Sequence, residues 1–220
     1  MASHKCLGYN QRMKNSHLVF GEAQNHPLII VISGPSGVGK DAVVGLLQNT
    51  NHNTHFVITF NSRAPRKDEV DGKDYFFVTR QAFEEMIARD ELLEHARVYS
   101  DYKGIPKSQV REALASGKDV VMRLDVQGAM TVKKLIPDAV LIFLTATSEE
   151  EWINRLQARR SESPEELALR LRVAEDEYCC LNEFDYLVVN SDKHLDKTIE
   201  NIQAIIRSEH LRTHPRKATL

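Results

Sequence analysis

The stretch Val31–Val44, VISGPSGVGKDAVV, decides how the rest of the chain is read. Just before its glycines, Pro27–Ser33 (PLIIVIS) is a short continuous apolar run, the mark of a strand buried on both faces in a parallel sheet. Just after them, KDAVVGLLQN reads as a helix. Strand, glycine loop and helix in that order make a phosphate-binding turn. Gly34, Gly37 and Gly39 let the loop turn its N–H groups inward around an anion, and the helix adds its positive end. Lys40 supplies a point charge for terminal phosphates. After G-x-x-x-x-G-K, Ser or Thr ordinarily follows and its hydroxyl ligates Mg²⁺. This chain has Asp41 there.

Outward from the loop, buried-strand signals recur in HFVITF, KDVVMRL, AVLIFLT and DYLVV. Between them lie helical patterns: PKSQVREALASG, QGAMTVKKLI, SEEEWINRLQARR, SPEELALRLRVAEDEYCCL and DKHLDKTIENIQAIIRSEH. Strands alternating with helices predict an α/β core with a parallel sheet. The polar, turn-rich chain from Asn61 to Tyr102 breaks the alternation, with strand-like DYFFV and EHARVY and one helix, RQAFEEMIARD. It reads as a small mixed insertion over the core. A second excursion, RLQARRSESPEELALRLR, carries five arginines on two helices separated by a Ser/Glu/Pro break.

The 220 residues fit one domain, and a hydrophobic fraction of 42% with 27% charged residues is ordinary for a globular protein. A net charge of −2 gives no general attraction to nucleic acid. No apolar run approaches the ~20 residues that span a bilayer. Neither nucleic acid nor a membrane is an expected partner, and a monomer or homodimer both stay open. Cys6, Cys179 and Cys180 have no metal-ligand spacing and suggest a reducing compartment. Residues 1–26 are polar, lack the apolar core of a secretory signal and read as a flexible extension. The expected location is cytoplasmic, with a plastid or mitochondrion as the alternative.

Several motifs in order, SGPSGVGK, SRAPRKDEVDGKDYFFV, ELLEHARVY, LDVQGA, the arginine segment and DYLVVN, resemble the guanylate kinase family of P-loop nucleoside monophosphate kinases. The resemblance implies a P-loop NTPase three-layer core with a parallel sheet, a small mixed GMP-binding insertion and a helical lid. The corresponding organisation is an extension at 1–26, a kinase domain at 27–208 with insertion about 59–106 and lid about 153–173, and a tail at 209–220. The implied reaction is ATP-dependent phosphorylation of GMP, with dGMP also expected, to the diphosphate with Mg²⁺ as cofactor. Family positions then assign Gly34, Pro35, Ser36, Gly37, Val38, Gly39, Lys40 and Asp41 to the ATP phosphates and Asn190 to the adenine side. Thr59, Arg63, Arg66, Glu69, Tyr75, Glu94, Lys103 and Asp125 fall to GMP, and Arg155, Arg159 and Arg170 join Lys40 and Arg63 in catalysis.

These residue types suit that chemistry. A phosphate monoester has its second pKa near ~6, so the acceptor is largely anionic at neutral pH and needs no dedicated base. Transfer then rests on positioning and on cations that neutralise the moving charge. Guanine offers two N–H donors on one edge, which Glu94 and Asp125 would receive, whereas adenine would set a lone pair against buried carboxylates.

The chain departs from the family pattern at Asp41 (usually Ser or Thr), Lys103 (Tyr), Ile105 (Ser) and Arg123 (commonly Asp). The same departures resemble organelle-type guanylate kinases of plants. Asp41 opens the loop helix and Arg123 ends a neighbouring strand, so both are expected to face one cleft, with Asp41 holding Mg²⁺ and Arg123 limiting its repulsion from phosphate. Two alternatives remain at this point: a ribose bisphosphate phosphokinase, and a non-catalytic scaffold module of guanylate-kinase-like fold.

Overall fold

The computed structural model describes residues 26–50, 53–67, 69–98, 101–157, 164–191 and 193–220. Strand β1 (Ile29–Ser33) is buried along its whole length, and its side chains alternate between two cores. Ile30 and Ile32 pack with Val43, Leu47 and Ile202 on one face, while Ile29 and Val31 pack with Val110, Ala129 and Val132 on the other. A strand with helices on both faces needs apolar residues at every position, which explains the unbroken PLIIVIS run. Around β1 stand β2 (Thr54–Phe56), β7 (Asp119–Arg123), β8 (Val140–Thr145) and β9 (Tyr186–Val189), all parallel, in the order β2-β7-β1-β8-β9. Helices α1 (Lys40–Thr50) and α7 (Leu195–His210) cover the first face; α3 (Lys107–Ala115) and α4 (Val126–Leu135) cover the second.

From β1 the chain runs on to β2 on one side of the sheet, and from β8 to β9 on the other, which makes the ends of β1 and β8 the place where open parallel sheets bind ligands. The register puts Ile32 opposite Arg123 on β7 and Ser33 opposite Phe143 on β8, so the glycine loop emerges between two strand ends.

A second, four-stranded sheet has the order β4-β3-β6-β5 and consists of β3 (Phe60–Asn61), β4 (Phe76–Phe77), β5 (Leu92–Val98) and β6 (Asp101–Pro106). Helix α2 (Arg80–Ala88) lies against it, capped by Thr79, whose hydroxyl accepts from Ala82 N at 3.1 Å. Phe83 stacks on Tyr102 with centroids 5.2 Å apart. Gln109 on α3 ties the sheet's two connections to the core: its amide accepts from Ile58 N and donates to Ile58 O, each at 3.0 Å. The remaining helices are α5 (Glu149–Gln157) and α6 (Pro164–Cys179).

Candidate active site

The glycine loop turns at positions that only glycine can take without strain. Gly34, Gly37 and Gly39 have φ of 135°, 87° and 90°, values that L side chains rarely adopt. Lys40 bends back to donate to Gly34 O (2.5 Å) and Pro35 O (3.0 Å). Burial pulls the lysine below its ordinary pKa, opposed by the nearby carboxylates Glu177, Asp41 and Asp125. Glu177 on α6 is pushed up by its own burial, with Lys40 working against that shift. A helix-borne acid therefore faces the loop lysine.

The arginine segment closes on the same loop. Arg155 donates to Val38 O (3.2 Å), to Asn190 O (2.7 Å) and to Glu151. Arg170 reaches Ser36 Oγ at 2.7 Å, and Trp152 Nε1 donates to Ser36 O at 2.7 Å. Arg159 lies outside the described residues. The amide of Asn190 is engaged inward: Nδ2 donates to Val38 O (2.8 Å) and Oδ1 accepts from Thr198 (3.2 Å). The side chain thus braces the loop, because the buried amide must satisfy its polar atoms where it stands.

Glu94 and Asp125 come together around Gly128. A Cβ on Gly128 would lie 3.1 Å from Glu94 Oε1 and 3.3 Å from Asp125 Oδ1. Glu94 is only 6% exposed, and burial, with a smaller push from Asp125, raises its pKa to about 7. Asp125 caps α4 by accepting from Gly128 N at 2.8 Å, which leaves its carboxylate further lone pairs for a ligand. Thr59, buried at the core-side edge of the second sheet, accepts from Phe76 N through its carbonyl at 3.0 Å.

Facing these acids is a group of cations around Tyr75. The Arg63 and Arg123 guanidiniums lie 5.4 and 5.2 Å from its ring centroid, and Lys103 Nζ 5.8 Å. Arg63 is forked onto Glu69 at 2.5 and 2.6 Å, and that bond holds Glu69 down at about 2. Glu69 also accepts from Arg66 N at 2.8 Å, while the Arg66 side chain is exposed. Burial lowers the Lys103 pKa, and Arg123 and Arg63 add repulsion. Arg123 Nη1 donates to Asp41 Oδ1 at 2.5 Å, so these two departures from the family pattern do face each other.

The sequence assigns Arg123 a role only as a partner that limits the repulsion of Asp41 from phosphate, and it does not single out Glu177, Trp152, Gln109 or Gly128. Glu177 sits in an acidic helical run indistinguishable from a solvated face; Gln109 has no motif at all. Gly128 alone carried a signal, being a glycine inside a helix, which costs stability unless something must approach it closely.

Comparison with known proteins agrees with this geometry. A family model described as Guanylate kinase matches residues 26–209. Guanylate kinase 2, chloroplastic/mitochondrial, of Oryza sativa subsp. japonica is 48% identical over 195 residues, spanning 88% of this chain and 68% of the relative. The guanylate kinase of Lactococcus lactis subsp. lactis (strain IL1403) is 43% identical over 185 residues, or 84% and 89% of the two chains. The crystal structure of guanylate kinase from Anaplasma phagocytophilum superposes with a TM-score of 0.71 at 28% identity, covering 86% of this chain and 89% of that one.

Proposed function

Since the chain belongs to the guanylate kinase family and is an ATP:GMP phosphotransferase that makes GDP, we propose that it divides the reaction between a donor loop at Gly34–Asp41 and an acceptor site in the second sheet. The observation that carries this division is the meeting of Glu94 and Asp125 at Gly128, across from the cations around Tyr75. Carboxylates at one end suit the N–H edge of guanine, and cations at the other suit a phosphate.

Within the donor loop, backbone amides and the α1 N-terminus hold the ATP phosphates, and Lys40 swings from the Gly34 and Pro35 carbonyls onto the terminal ones. Arg63, Tyr75 and Lys103 hold the GMP phosphate, whose own oxygen is the nucleophile. Glu69 keeps Arg63 aimed, and Arg66 adds charge from the exposed side. Arg155 and Arg170, already on the loop, neutralise the phosphoryl group in flight, with Arg159 assigned to the same task by its family position. Thr59 donates to the base. Asn190 supports the loop from beneath. dGMP is proposed as a second acceptor, since nothing assigned to the ribose end selects for a 2′-hydroxyl.

Mg²⁺ is the proposed cofactor. An Mg²⁺ ion of this kind is commonly held by one carboxylate and the substrate phosphates and not by a protein cage. Asp41, in the first turn of α1 and with a 70% exposed side chain, is the residue that would hold it; the ion supplies charge neutralisation at the phosphates.

Among the described residues no helix is long and apolar enough to cross a membrane. The chloroplastic/mitochondrial name of the rice relative supports a plastid or mitochondrial nucleotide pool as the alternative to the cytoplasm.

ADP release with GMP, dGMP, AMP, UMP and CMP as acceptors tests the acceptor assignment. GMP should lead, with dGMP behind it and the others far lower. Glu94→Gln should reduce kcat/KM for GMP by about 100-fold or more, because a buried donor edge then loses its charged acceptor. AMP turnover matching that of GMP would defeat the acid-pair reading.

A further inference from the structure

Arg123 stands where the family commonly has an acid, at the end of a core strand, yet it touches both halves of the site. On the donor side it bonds Asp41, the residue after the loop lysine; on the acceptor side it lies over the Tyr75 ring that Arg63 also flanks. We propose that Arg123 is a ligand of the GMP phosphate, exchanging its bond to Asp41 for that phosphate when GMP enters. This rests on the acceptor-site reading above and gives a direct phosphate contact to a residue that reading places only in the surrounding cluster of cations.

Three observations carry the inference. First, two guanidiniums and an ammonium from three separate segments surround one aromatic ring within 5.8 Å. Like charges gathered this closely are mutually repulsive and are relieved by a shared anion. Second, Glu69 answers Arg63 with two bonds and Asp41 answers Arg123 with one, whereas Lys103 makes no ion pair or hydrogen bond among the described residues and is met only at longer range by Asp125 and Asp41. Third, the bond that holds Arg123 is a weak one to leave. Asp41 is 70% exposed whereas Arg123 is 23% exposed, and water readily re-solvates an exposed carboxylate. A phosphate dianion beside Tyr75 can accept a two-pronged bond from a guanidinium. The replacement also answers the chain's own loss: Ile105, wholly buried, stands where the family pattern has a serine hydroxyl.

Because Asp41 lets go of Arg123 in this exchange, GMP binding leaves Asp41 free for a cation at the donor phosphates. Acceptor and donor sites thereby become linked through one side chain.

Calorimetric titration of the full chain with GMP and with guanosine tests the proposal, since guanosine has the base and sugar but no phosphate. The unmodified chain should prefer GMP. Arg123→Met should weaken GMP by about 10- to 100-fold, the effect of losing a charge-assisted bond, while guanosine stays within about twofold. Arg123→Lys, which keeps the charge, should recover part of the loss. Asp41→Asn, which removes the competitor, should tighten GMP severalfold in metal-free buffer. Unchanged GMP affinity in Arg123→Met, or equal weakening of GMP and guanosine, would overturn the assignment, as would weaker GMP binding in Asp41→Asn. If the unmodified chain showed no preference for GMP over guanosine, the acceptor-site reading itself would fall, a failure distinguishable before any variant is made.

Discussion

Glu94 sits in an environment that works against its charge. The sequence identified it as an acid for guanine through the ELLEHARVY match, but nothing in those letters told that it is buried beside Asp125. Its pKa is raised from 4.5 to about 7, so between these values the folded protein holds a proton that the unfolded chain has released. Stability therefore falls as pH rises through that window, and the full cost, on the order of 3 kcal/mol, is present above pH 7. Glu94→Gln should raise the stability of the nucleotide-free protein by up to that amount at pH 8 and by little near pH 5. Denaturant unfolding at both values checks it. A gain equal at both pH values would show that packing, not charge, is responsible. Guanosine affinity should decline as pH drops below about 7, since the neutral acid cannot receive both base donors. On the proposed assignment, a bound guanine edge would favour the charged acid and so offset this cost.

At the level of single elements, the glycine loop was the most legible part. Its spacing dictates a turn that only glycine can follow, and the structure adds what presses on it. A Cβ at Gly34 would lie 2.2 Å from Leu144 O, which is backbone of β8 and cannot give way. Gly34→Ala should cost several kcal/mol through both the strained φ and this clash, and should remove ATP binding. Gly45→Ala on α1 is the matched control: nothing lies within 4 Å of its Cβ, so it should stabilise by about 0.5–1 kcal/mol. Thermal melts and ATP titration of the two variants separate the cases. By contrast β6, DYKGIP, was not read as a strand. Lysine, glycine and proline suit a loop, but pairing with both β5 and β3 overrides that preference. At Gly104 the close packing of Phe83 and the Glu94 carbonyl even requires glycine.

Over the whole molecule, the chain's last residues return to brace the sheet far from the phosphates. Glu209, 1% exposed, accepts from Arg216 Nε at 2.8 Å and from Tyr186 at 2.6 Å, and Arg216 also reaches Asp185 at 3.0 Å. Burial works against Glu209, but Arg216 and Tyr186 outweigh it and hold the acid below its usual range. Arg216→Ala leaves the buried carboxylate with only Arg212, at 3.6 Å, as a cation and should cost up to about 3 kcal/mol, seen as a lower denaturation midpoint, with kcat for GMP retained. Loss of activity without loss of stability would mean that this network communicates with the site. Sequence patterning could not find it, because Arg216 and Lys217 in a polar tail look like any solvated charges.

The order of strand, glycine loop and helix, the alternation that follows it, and the run of family motifs were determined by sequence alone: covalent spacing and backbone preference act between near neighbours and leave a local trace. Only the tertiary structure decided the contacts that distant residues make: the sequence led to the expectation that Asp41 and Arg123 share a cleft, but not to the bond between them. Asp41 and Arg123, 82 residues apart, bond because β1 and β7 are adjacent strands whose ends open onto one cleft. Glu94 and Asp125 converge because α4 can approach β5 at Gly128. Charge and burial depend on such encounters in space, and the linear order of residues carries no direct record of them.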